Sequence, residues 1–115
     1  MKLSADQRAV CERFGVAPDA PSDDSRMGIA PNARESELWP LNGLRHRPGN
    51  GTSGWYVWRG EHLGQADDFF ESLHTAHLPD WCPEAVRFLA LPPGWRFLAA
   101  PGQEDVWYDA TLLEA

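Results

Sequence analysis

Gly54-Trp55-Tyr56-Val57-Trp58 sets three large aromatic side chains and a valine side by side, after the loop sequence Pro48-Gly49-Asn50-Gly51-Thr52-Ser53 and before Arg59-Gly60-Glu61. Trp, Tyr and Val fit the pleated, half-buried surface of a sheet, whereas the preceding Gly, Asn and Ser residues belong to turns. The stretch therefore reads as a strand. Alternation sends Trp55 and Val57 to one face and Tyr56 and Trp58 to the other. Both faces are apolar, so the strand must be covered on both sides, or covered on one and offered to a partner on the other.

Downstream, Trp95-Arg96-Phe97-Leu98-Ala99-Ala100, Pro101-Gly102-Gln103 and Glu104-Asp105-Val106-Trp107-Tyr108-Asp109 read as strand, turn and strand, an antiparallel hairpin. In its second strand Val106 and Tyr108 share one face, and Asp105, Trp107 and Asp109 the other. Between the aromatic strand and this hairpin, Phe69, Phe70, Leu73 and His77 are spaced for one wide helical face over residues 67–78. Asp67 or Asp68 caps that helix and Pro79 follows it. A further helix begins at Pro83, buries Val86, Leu89 and Ala90, and stops at Pro92-Pro93-Gly94.

Upstream, Ser4 and Gln7 form a capping box for a helix of two to three turns, with Val10 and Phe14 on one stripe, Arg13 at its edge and Gly15 as the stop. Residues 16–25, broken by Pro18 and Pro21, read as a linker that attaches this helix loosely. Met27-Gly28-Ile29-Ala30 reads as a short strand ended by Pro31-Asn32. Asn42-Gly43, flanked by Leu41 and Leu44, is a strong two-residue hairpin signal. The expected fold is a small single α+β domain: a mainly antiparallel sheet centred on Trp55–Trp58 and the C-terminal hairpin, packed on one face by two or three helices. Residues 1–25 form an N-terminal helix and Pro/Asp/Ser-rich linker, and 26–115 the domain proper.

The chain has 115 residues, enough for one hydrophobic core without a metal or disulfide scaffold. Ten Lys and Arg against 17 Asp and Glu leave a formal charge of -7. That field repels phosphates, and the densest basic run is only Arg45-His46-Arg47, so nucleic acid and anionic membranes are excluded as partners. A basic protein is attracted instead. Cys11 and Cys82 form no Cys-x-x-Cys pair and read as reduced, structural thiols. The N-terminus lacks the apolar stretch of a secretory signal, and no segment approaches the roughly 18 apolar residues of a membrane span. These features place the protein in the cytoplasm.

Glu71-x-x-His74-x-x-His77 is the sharpest constellation, because helical spacing would bring a carboxylate and two imidazoles to one metal. No second Glu-x-x-His completes a di-metal set, and a packed or hydrogen-bonded histidine pair accounts for the motif without a cofactor. Gly49–Gly54 lacks the lysine and following helix of a phosphate loop. Ser53 and Ser72 lack a nucleophile-elbow context. Glu104, Asp105 and Asp109 on a hairpin read as an acidic edge rather than as an acid–base pair. No catalytic residue and no cofactor is assigned.

Gly43-Leu44-Arg45-His46, Gly54 through Glu61, Asp68-Phe69-Phe70, His74-x-x-His77-Leu78, Leu91-Pro92-Pro93-Gly94-Trp95-Arg96-Phe97-Leu98 and Glu104-Asp105-Val106-Trp107 together resemble family thirty-three of the immunity proteins of bacterial polymorphic toxin systems. The similarity runs from about Met27 to Leu113. It implies a non-catalytic cytoplasmic inhibitor that binds and neutralises a cognate toxin. The acidic charge suits a basic toxin such as a nuclease. On that reading Trp55, Tyr56, Trp58, Glu61, Glu104, Asp105 and Trp107 supply the docking surface. An uncovered aromatic face is equally open to burial by a second copy of the chain. The alternatives are a small metal-dependent or hydrolytic enzyme using Glu71, His74 and His77, and a ligand-binding regulatory domain.

Overall fold

The computed structural model describes residues 2–35, 37–61 and 69–114. The aromatic stretch lies in β3 (Thr52–Arg59), at the middle of the sheet. On one side β3 pairs with β2 (Leu41–Arg45), antiparallel; on the other it pairs with β1 (Arg26–Ile29), parallel. The C-terminal hairpin is β5 (Trp95–Ala100) and β6 (Gln103–Tyr108), and β4 (Glu71–His74) completes the far edge. Among the described residues the order is β4-β1-β3-β2-β5-β6, a six-stranded sheet antiparallel except at β1/β3. The α+β class, the β1 strand and the hairpin are as the sequence predicts.

Parity sorts the aromatic side chains as expected. Trp55 and Val57 enter the main core with Phe97, Phe88, Leu78 and Leu89–Leu91. Phe88 stacks on Phe97 with centroids 4.1 Å apart, and the Trp55 indole N–H donates to Leu89 O at 3.0 Å. Each such ring, fully buried, stabilises the fold by about 3 kcal/mol before the entropy of ordering it is counted. Tyr56 and Trp58 point to the opposite face, into a smaller cluster with Ala30, Leu44 and Leu112, packed by Phe69 and Phe70.

The cover over the main core differs from the expectation. Residues 71–74 of the anticipated helix 67–78 are β4, paired with β1 from Ile29↔Glu71 to Arg26↔His74. A 3-10 turn (Thr75–His77) and a short α2 (Leu78–Trp81) follow, and Asp67 and Asp68 lie outside the described residues. Phe70 and Leu73 satisfy a strand between two apolar layers as well as a helical face; the pairing with β1 decides between them. The segment from Pro83 is a 3-10 helix, Pro83–Phe88, burying Ala85 and Phe88. Val86 is only half-buried, while Leu89 and Ala90 are fully buried as predicted.

Asn42-Gly43 is no turn: it lies inside β2, whose residues pair with both β3 and β5. Gly43 is needed because the Phe97 ring occupies the space where a Cβ would stand.

α1 (Ala5–Arg13) has the predicted capping box: Gln7 N–H donates to Ser4 Oγ at 3.1 Å, and Ser4 N–H to Gln7 Oε1 at 3.0 Å. The helix is not loosely attached. Gln7, Val10 and Cys11 are buried, and the Gln7 amide donates to Val86 O at 2.9 Å. The linker is tied down by Arg45, whose guanidinium is inside the protein and donates to Asp19 O at 2.7 Å, Leu91 O at 2.8 Å and Ser53 O at 2.9 Å. Burial lowers the Arg45 pKa, and the Asp19 carboxylate partly offsets this. Charged hydrogen bonds to main-chain carbonyls make burial of this cation tolerable.

Candidate partner-binding surface

β6 ends the sheet, and among the described residues no strand lies on its outer side. Among the described residues the exposed large hydrophobic side chains are Leu38, Trp107 and Tyr108, and Trp107 and Tyr108 are neighbours on this edge. Alternation places Trp107 on the Tyr56/Trp58 face and Tyr108 on the main-core face, where it leans on Trp95 at 5.8 Å. The two rings straddle the edge.

The carboxylates here are unlike one another. Glu104 is held between Arg13, at 3.1 Å, and Arg87. Asp109 accepts from the Thr111 hydroxyl and backbone N–H and faces Arg96 at 3.4 Å; the Thr111 hydroxyl bond is the main cause of a pKa below the ordinary aspartate range. Asp105 is exposed and, among the described residues, accepts only from the Gln103 amide, at 3.2 Å. Arg96 also lies over the Trp107 ring, 5.3 Å from its centroid. The acidic edge therefore resolves into two carboxylates engaged by arginines and one available to a partner.

The other sequence-predicted docking residues scatter. Trp55 is 1% exposed and belongs to the core, so it cannot touch a partner. Trp58 is 4% exposed within the second cluster, and its indole N–H finds no acceptor among the described residues. Tyr56 is half-buried, edge-on to Phe70 at 5.0 Å and to His46 at 5.5 Å. Glu61 is exposed just beyond β3. The structure thus brings Glu104, Asp105 and Trp107 together and separates them from Trp55 and Trp58. Tyr108, absent from the predicted set, joins them; the signal for it is that the last strand of a terminal hairpin is a natural sheet edge.

Glu71 and His74 sit on β4 at opposite parity and so on opposite faces, which removes the helical spacing that would have united them with His77. His77 is exposed rather than apolar-facing, and the two imidazoles stack with centroids 6.1 Å apart. Among the described residues no group of three or more His, Cys, Asp or Glu is arranged to hold a metal ion. The basic run is likewise dispersed: Arg45 is buried, His46 Nδ1 lies 3.1 Å from Leu112 O, and Arg47 donates to Leu113 O at 2.8 Å. Cys11 and Cys82 are free and buried, and burial pushes both thiols up in pKa, opposed at Cys82 by the Arg59 guanidinium.

A small α+β sheet domain with an aromatic and acidic edge strand is the class this arrangement defines. The chain belongs to the Imm33-like family, an immunity-protein family: the model of the Imm33-like domain matches residues 6–109. The match begins within α1, so the helix and linker fall inside the family domain, earlier than the Met27 start of the resemblance seen in sequence. No curated protein and no solved structure gives a significant match. No helix among the described residues is long and apolar enough to cross a membrane.

Proposed function

We propose that this protein is a non-catalytic immunity protein that binds a cognate bacterial toxin in the cytoplasm and neutralises it by stoichiometric occlusion. The observation that carries the reading is the Imm33-like match over residues 6–109. The electrostatics support a basic toxin, such as a nuclease, as the partner. The formal charge is -7, and Arg45 spends its own positive charge on interior carbonyls, so the solvent-facing charge is more acidic still. Such a field raises the encounter rate with a basic protein and opposes phosphate backbones.

The test is co-expression with the toxin encoded beside its gene. Growth is restored by the wild-type chain, and calorimetry on the purified pair gives one-to-one binding. A toxin that still kills at full expression of this protein, and shows no binding in vitro, overturns the proposal. So does a measurable turnover that His74→Ala abolishes while leaving partner binding intact.

A further inference from the structure

The backbone of β6 has an outward-facing side that the sheet leaves unused. Asp109 N–H donates to Gly94 O at 2.7 Å, extending the β5/β6 ladder by one pair beyond Trp95↔Tyr108. In an antiparallel ladder, residues alternate between those whose N–H and C=O point at the partner strand and those whose groups point away. Asp109, Trp107, Asp105 and Gln103 therefore turn their backbone groups toward β5. Glu104, Val106 and Tyr108 turn theirs outward, where no acceptor or donor is found among the described residues.

Sheet edges are ordinarily blunted by lysine, proline, a bulge or short length. β6 is regular across all its pairs with β5 and contains no lysine, arginine or proline. β4, at the other edge, is shorter, and its exposed positions are Glu71, Ser72 and His74. The remaining device on β6 is its acid, which discriminates rather than blocks. A second copy would bring another charge of -7 and another Asp105 to the same ladder, whereas a basic strand is drawn in.

We propose that the toxin docks by adding one of its own strands to the outer edge of β6, hydrogen-bonding to the main chain of Glu104, Val106 and Tyr108. Strand addition of this kind takes affinity from the main chain and specificity from alternate side chains. Asp105 and Trp107 share a face two residues apart. The incoming strand carries a Lys or Arg opposite Asp105 and, two residues away on the same face, an apolar side chain opposite Trp107. Tyr108 packs on the other face. This inference rests on the toxin-binding reading and specifies its geometry.

Amide hydrogen exchange, followed by NMR on the full chain with and without the toxin encoded beside its gene, tests it without a mutation. In the free protein the amides of Glu104, Val106 and Tyr108 exchange fast, and those of Asp105, Trp107 and Asp109 slowly. With the toxin at about 100 times its Kd, the outward set slows by about a hundredfold. Val106→Pro deletes an outward N–H without breaking the β5 ladder and raises the Kd about tenfold or more. Asp105→Lys, which leaves the backbone untouched, does the same, while Ser72→Lys on the opposite edge leaves the Kd unchanged; circular dichroism confirms each fold. Tight binding with protection elsewhere overturns strand addition and leaves the toxin reading standing. Outward amides that are already protected in the free protein, in a concentration-dependent way, assign the edge to a second copy and overturn the proposal. Absence of any binding removes both readings.

Discussion

Gly43→Ala tests the packing that makes β2 a strand rather than a turn. Gly43 lies between β3 and β5, opposite Val57 and Phe97, and its φ is not positive, so alanine meets no backbone penalty there. The obstacle is the Phe97 ring. Phe97 is 1% exposed, stacked on Phe88 at 4.1 Å and tilted against Trp55 at 5.8 Å, so it has little room to retreat from a new Cβ. Overpacking of this severity costs about 3 kcal/mol. Loss of glycine's unfolded-state freedom returns about 0.5–1 kcal/mol, leaving a net destabilisation of about 2 kcal/mol. For a chain of 115 residues this corresponds to a fall in Tm of about 8 °C. The decisive measurement is a urea-denaturation cycle with Phe97→Leu, which removes the ring atoms the new methyl meets. The double variant should be more stable than the sum of the single effects by at least about 1 kcal/mol. Additivity within about 0.5 kcal/mol would refute the packing argument, because a Gly43 demanded by a local turn would not sense residue 97.

Three further outcomes follow from the described geometry. Thr111→Val raises the Asp109 pKa toward the ordinary aspartate value of 3.8, since the Thr111 hydroxyl bond is the first cause of its depression. A depressed folded-state pKa contributes stability that is present above the unfolded value and lost as pH falls through the folded one. The variant should therefore show a weaker loss of stability on acidification below about pH 4, and a carboxyl carbon NMR titration that finds Asp109 unmoved contradicts this. Cys11 and Cys82, buried and raised in pKa, should resist a thiol reagent at pH 8 until urea opens the fold; stoichiometric labelling of the native protein would contradict the burial. Chelation of divalent metal leaves the Tm unchanged, whereas a drop of several degrees would revive a metal role for Glu71, His74 and His77.

What could be read from sequence was what short-range physics decides. The capping box at Ser4 and Gln7 needs only one helical turn to close. The alternation in Trp55–Trp58 needs only the pleat, and the β5/β6 hairpin only its Pro101-Gly102 turn. The misread elements are those settled by partners distant in sequence. Asn42-Gly43 carries a strong local turn preference, and it is overridden because β2 is paired on both sides and Phe97 claims the glycine's empty side. Phe70 and Leu73 fit two periods at once, and β1, more than forty residues earlier in the chain, selects the strand. Arg45 reads as a member of a basic surface run, yet its role is set by carbonyls at residues 19, 53 and 91. Among the docking candidates, strand parity separates Trp55 from Trp58 but cannot say which Trp is covered. Both are buried, whereas Trp107 and Tyr108 at the sheet edge are exposed.

The placement of the arginines decides which carboxylates of the β6 edge are paired. Arg59 is buried against Ala33 O at 2.9 Å and paired with Glu84, and Arg45 is buried on main-chain carbonyls, so neither is spent on the carboxylates of β6. Arg13 and Arg87 converge on Glu104 from α1 and the Pro83–Phe88 segment, tying those covering elements to the start of β6. Arg96 reaches across from β5 to Asp109 and the Trp107 ring. These contacts hold both ends of the strand in register while neutralising the carboxylates there. Asp105, between them, meets no arginine among the described residues. In the proposed complex the diffuse field of the protein speeds encounter, as distributed charge does, whereas Asp105 and Trp107 select the strand that stays. In that proposed complex, pairing arginines with Glu104 and Asp109 but not with Asp105 turns a general attraction for basic proteins into recognition at one position of one strand.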